Sequence, residues 1–216
     1  MKFFTLLVLL SGFVLSLPAQ VATGPGVGAR EATDLLENGT LLVRLPSERN
    51  KIAALQRLAT EQPERATELQ ERIDRIEADR DRRNRIVMAA MNESFPFRSV
   101  RYFYDYHSKA LAASDGNDFF LDEQLQPGTD QQIPDAYLVL HLGNKIGRGQ
   151  SVDGAQLLDR DYRPLGFGFP DFAKEQTFAS LFRSLGGREQ AEQKNLERMI
   201  LRLNRRWEKY VQNSKN

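Results

Sequence analysis

The residues best suited to hold a ligand lie together in Gly143-Asn144-Lys145-Ile146-Gly147-Arg148-Gly149-Gln150-Ser151. Glycines let backbone amides approach an anion, and Lys145 and Arg148 bring positive charge. The stretch follows Ala136 to Leu142 (AYLVLHL), whose nearly continuous apolar character predicts a strand covered on both faces. In α/β proteins such strands carry ligand loops at their carboxyl ends. The residue order is not that of the nucleotide-binding P-loop. Gly143, Lys145, Gly147, Arg148, Gly149 and Ser151 are therefore candidates for holding a small anion or phosphoester. An ordinary connection between strands is the preferred reading of the same loop.

Other chemistry is harder to assemble. Asp105, His107 and Ser108 lie close in sequence and are the residue types of a hydrolytic triad. Catalysis needs them to converge in space beside an oxyanion hole, and no nucleophile-elbow sequence is present. A strand through Ser99 to Tyr106 would put Asp105 and His107 on one face and Ser108 on the other. His107 then reads as a strand-end histidine with a structural hydrogen bond, and His141 as a satisfied core histidine. Two isolated histidines and no cysteine provide no zinc spacing. Asp115-Gly116-Asn117-Asp118 with Asp122 and Glu123 has the composition of a calcium loop without its ligand alternation. No metal and no cofactor is expected.

Three stretches could meet a partner. Thr60 to Asn92 reads as one long charged helix, opened by Pro63 and uninterrupted until Pro96. Its apolar residues Ala66, Leu69, Ile73, Ile76, Val87 and Ala90 recur at steps of three and four, a coiled-coil-like stripe. Arg80 and Arg83 occupy the same register and predict a middle that stays open to water or meets carboxylates. Phe167, Phe169 and Phe172 sit in a Gly/Pro segment and are either core or a sticky surface. The C-terminal helix places Leu196, Ile200, Leu203, Trp207 and Tyr210 on one stripe, with basic residues over the remainder. Such a helix closes a globular core or lies on a membrane; core closure is the preferred reading.

The elements that must position these groups form an α/β or α+β domain over residues 40–216. A small mixed sheet of about four strands is expected, near 40–45, 99–106, 136–142 and 155–159. Helices near 47–58, 171–185 and 188–212 would cover it, with the long helix at 61–92 projecting or folding back. Ala32 to Glu37 can form a short helix stopped by Asn38-Gly39. Leu157 to Asp161 resembles, over those few residues, the late hairpin of thioredoxin-like domains, whose redox cysteines this chain lacks; the likeness assigns no family.

Composition narrows the setting. An apolar fraction of 41% with 13 Phe supplies core material, and a net charge of +1 offers no argument for nucleic acid or an anionic membrane. Lys2 followed by the apolar run Phe3 to Leu17 and Leu17-Pro18-Ala19 reads as a signal peptide over 1–19. The run is shorter than a bilayer span. Residues 20–39, with Gly24, Gly26 and Gly28, read as a flexible mature N-terminus. The expectation is an exported protein, periplasmic or secreted, without catalytic activity and acting through a protein partner; handling of a small anion is the alternative. Export has a direct test. Mass measurement of the native protein should find a chain starting at Gln20 or within a few residues, and an intact Met1 on the major species overturns it.

Overall fold

The apolar run Thr40 to Leu45 forms the centre of the molecule. The computed structural model describes residues 27–116, 118–128, 132–146, 152–166, 168–174 and 188–214. Strand β1 (Thr40–Leu45) pairs in parallel with β2 (Val100–Tyr104) on one side. On the other side lies β4 (Tyr137–Asn144), also parallel. The short β3 (Phe120–Leu121) adds antiparallel to β2, while β5 (Asp153–Leu158) and β6 (Phe172–Lys174) extend the sheet antiparallel beyond β4. The sheet order is β3-β2-β1-β4-β5-β6. Leu41, Val43 and Leu45 are buried on one face of β1 and Leu42 on the other, which explains the unbroken apolar run.

The helices divide unequally between the faces. Helices α1 (Ala29–Asn38), α3 (Ala66–Ser94) and α5 (Arg188–Ser214) lie on the face of Leu41, Val43 and Leu45. Trp207 of α5 is fully buried there, and its indole N–H donates to the Pro170 carbonyl at 3.0 Å. Among the described residues the opposite face, with Leu42, Phe103 and Val139, is covered by the short α4 (Ser108–Ala112), the segment carrying Phe119 and Phe120, and Ile133, Ile146 and Tyr162. Gly39 lets α1 end directly against β4: a Cβ there would stand 2.6 Å from the Leu35 carbonyl oxygen and 2.8 Å from that of Ala136.

Several boundaries differ from expectation. The sheet has six strands rather than about four: the short apolar stretch Phe120–Leu121 joins it as β3, and Phe172–Lys174 as β6. The helix expected over 171–185 begins instead as β6, and residues 175–187 lie outside the described residues. The strand expected over 99–106 stops at Tyr104, and Asp105–His107 forms a 3-10 turn. The short helix expected over Ala32 to Glu37 runs from Ala29 to Asn38, and its Ala32 and Leu36 are buried in the main core rather than part of a flexible segment. The expected signal peptide lies outside the described residues. No helix among the described residues is long and apolar enough to cross a membrane.

The long helix changes neighbours along its length. Leu69 and Ile73 of α3 pack with Ile52 and Leu55 of α2 (Arg49–Glu61) in a small core of their own. Val87, Met88, Ala90 and Met91 belong to the core of the sheet. Asn84, fully buried, donates to the Pro46 carbonyl at 3.1 Å, which sets this part of α3 level with the end of β1. The first half of α3 and its antiparallel neighbour α2 therefore project past the sheet as an arm. Arg80 and Arg83 mark the handover from one neighbour to the next, and they fare differently. Arg83 is exposed. Arg80 is not the open ion pair expected: its side chain is 18% exposed, pairs with Asp81 at 2.8 Å and donates to the Ser47 carbonyl at 3.3 Å.

These contacts order two substitutions. Ile73→Ala empties a buried site and should lower stability by about 2–4 kcal/mol. Arg80→Ala removes charge-assisted hydrogen bonds and should lower it by about 1–3 kcal/mol. Urea unfolding checks both. An Arg80→Ala variant as stable as the parent would show that the contact to Ser47 holds nothing.

Candidate functional site

The crossover after β1 places β2 on one side of it, and β4 returns to the other. The connections thus part between β1 and β4, and the crevice outside the carboxyl ends of such strands is where open α/β sheets bind ligands. Arg44 and His141 are register partners there. The Arg44 guanidinium Nη1 donates to His141 Nδ1 at 2.9 Å, and His141 Nε2 lies 3.1 Å from the Asn144 carbonyl oxygen. An arginine only donates and a carbonyl only accepts, so the imidazole is neutral with its proton on Nε2. Arg44 Nε is buried and has no hydrogen-bond partner among the described residues.

Beside this pair the chain turns from β1 into α2. Asp105 Oδ1 accepts the Ser47 hydroxyl at 2.5 Å and the Ser47 backbone N–H at 3.2 Å. Ser47 Oγ in turn accepts the Arg49 N–H at 3.3 Å, satisfying one of the donors that open a helix. Glu48 completes the turn in the left-handed region at φ 54° and ψ 14°. A non-glycine residue held there stores about 1–3 kcal/mol of strain and persists only where its surroundings impose it.

A cavity of about 370 Å³ opens at this turn, lined by Arg44, Ser47, Arg49, Asn50, Lys51 and Asp105 among others. Three cations face it. Two carboxylates line it as well, Asp105, which accepts from Ser47, and Glu48, which pairs with Lys51 at 3.9 Å, so the lining keeps a formal surplus of one positive charge. Arg49 also stands over the ring of Tyr106, 5.1 Å from the centroid. The balance favours an anion, and α2 adds the positive end of its dipole.

The residues singled out in the sequence meet this site only in part. Gly143, next to last in β4, has φ 137°, and a Cβ there would lie 3.5 Å from the His141 ring. Lys145 turns away, its Nζ 4.3 Å from the ring centroid of Phe172 on β6. Gly147, Arg148, Gly149 and Ser151 lie outside the described residues, as does Phe167. Phe169 is core, edge-on to Tyr210 at 5.1 Å, and Phe172 is partly buried. Asp105, His107 and Ser108 do not converge as a triad. Asp105 binds Ser47, Ser108 donates to the Asp105 carbonyl at 2.6 Å, and His107 stacks between Tyr106 and Phe119. Arg44, Ser47, Arg49 and Lys51 were not singled out. The one signal was Arg44 itself, a charge inside the apolar run TLLVRL.

Both histidines are shifted in the same direction. Burial, then the Arg44 guanidinium, push the His141 imidazole below its ordinary value. Burial, then Arg49, do the same for His107. The unfolded chain then takes up these protons first, so stability is level above the ordinary histidine range near ~6.5 and declines as pH falls below it. The melting temperature should drop between pH 7 and pH 5, and His141→Gln should reduce that drop. A flat profile, or a variant with the full drop, would refute the neutral Arg44–His141 pair.

Comparison with known proteins finds no matching family model, no similar curated protein and no similar solved structure; what the cavity holds must be reasoned from its own groups.

Proposed function

We propose that this is an exported, non-catalytic binding protein that holds a small anion, a carboxylate or phosphate, in the cavity at the root of the α2–α3 arm. The observation that carries the reading is Arg44. Arg44 lines the cavity, and its buried Nε lacks a hydrogen-bond partner among the described residues. A buried donor left unpaired costs about 1–3 kcal/mol, which an accepting oxygen would recover. Arg49 and Lys51 bring two further cations to the same space. The position, at the parting of the strand connections, supports the reading independently. The non-catalytic part rests on how the reactive groups are spent: Ser47 on Asp105, His141 on Arg44 and Asn144, His107 on a ring stack.

A second reading, a protein partner on the arm, rests on the projection of α2 and α3 beyond the sheet. It is weaker, because Tyr106 and Leu201 are the exposed large apolar side chains among the described residues and neither lies on the arm. Protein interfaces draw most of their affinity from buried aromatic and arginine anchors. A native pull-down whose captured partner is lost when the arm is shortened would favour it.

The anion reading is tested by thermal melts and titration calorimetry with inorganic phosphate, sulfate and small dicarboxylates, against chloride at matched ionic strength. One of these should raise the melting temperature. Arg49→Ala with Lys51→Ala, both at exposed positions of α2, should weaken its binding about tenfold or more. No shift with any anion, or unchanged binding by the double variant, would overturn the assignment.

A further inference from the structure

Helix α5 closes the core with one side and leaves the other unused. Leu196, Ile200, Leu203 and Trp207 are all buried, so the tryptophan is not available to a membrane. Lys194, Arg198, Arg202, Arg205 and Lys209 are all exposed. Their spacings of 4, 4, 3 and 4 residues bring the five into an arc of about 80° and a line about 22 Å long on an α-helix. No ion pair among the described residues engages any of them. Like charges set side by side along one face repel each other, and the chain as a whole carries only +1.

We infer that this stripe docks the protein on the surface of an anionic lipid bilayer. Clusters of four to eight Lys and Arg on a helix face draw anionic headgroups, each worth roughly fivefold in partition. A bilayer needs one open face, which is what α5 has. Duplex DNA presents a groove about 12 Å wide that admits a single helix. The other side of α5 is packed on α3 and the sheet, so it cannot enter. A protein partner would need apolar anchors, and Leu201 is the one large apolar side chain exposed beside the stripe. The remaining charge sets the orientation. Asp115, Asp118 and Asp135 are exposed beside Phe119 and Tyr137, which pack on the sheet face opposite α5. An anionic surface repels that side and draws the α5 side toward it.

Vesicle co-sedimentation with the full chain tests this, using phosphatidylcholine alone and phosphatidylcholine with about a third phosphatidylglycerol. Binding to the anionic vesicles should exceed that to the neutral ones and fall steeply as salt is raised. Arg198→Glu with Arg202→Glu should lower the partition about 25-fold or more at an unchanged melting temperature. Arg198→Lys with Arg202→Lys should keep it, because a headgroup layer reads charge rather than the guanidinium fork. The Arg49→Ala, Lys51→Ala variant should also bind vesicles as the parent does, which separates the stripe from the anion cavity. Equal binding to neutral and anionic vesicles, no loss on charge reversal, or tighter binding to a short DNA duplex at matched salt would each overturn the inference.

Discussion

The turn between β1 and α2 is held from three directions. Asn84 binds the Pro46 carbonyl and Arg80 the Ser47 carbonyl, both from α3. Asp105, just past β2, binds the Ser47 backbone and hydroxyl. Two of these contacts come from α3 and the third from the residue that follows β2, so the sheet and α3 hold the turn together. It sends α2 outward rather than back across the sheet, creates the cavity, and imposes the left-handed conformation on Glu48. Neither the arm nor the cavity would exist if the chain left β1 at another angle.

The same turn shows why part of the molecule could be read from residues alone and part could not. Strands β1 and β4 carry long apolar runs, and α3 and α5 carry periodic stripes closed by turn residues, so each announces itself locally. Strand order does not, because it depends on pairings between distant segments. The cavity is harder still. Ser47 meets Asp105 across 58 positions and Arg44 meets His141 across 97. The glycine-rich stretch after β4 pointed to the carboxyl edge of the sheet, where the cavity lies, but Lys145 spends its charge on Phe172 at the far edge. Ser47 was legible as a helix cap; that it also anchors Asp105 was not.

The two arginines of the α3 seam illustrate a general limit of periodicity. A heptad-like register assumes one continuous partner. Here the partner changes, and buried Asn84 rather than an apolar residue begins the second half. Arg80 suits the junction because its stem can lie along apolar surface while its head reaches a carbonyl, a carboxylate and the ring of Tyr104 at 6.0 Å. What reads in sequence as a broken stripe is two intact stripes facing different neighbours.

That division has a consequence for how the molecule breathes. The core shared by α2 and α3 is separate from the two cores on the sheet. A single continuous helix therefore belongs to two cooperative units, one able to open while the other stays shut. Any fraying that begins at the arm's tip meets its first firm stop at Arg80, one contact away from Ser47 and the floor of the cavity.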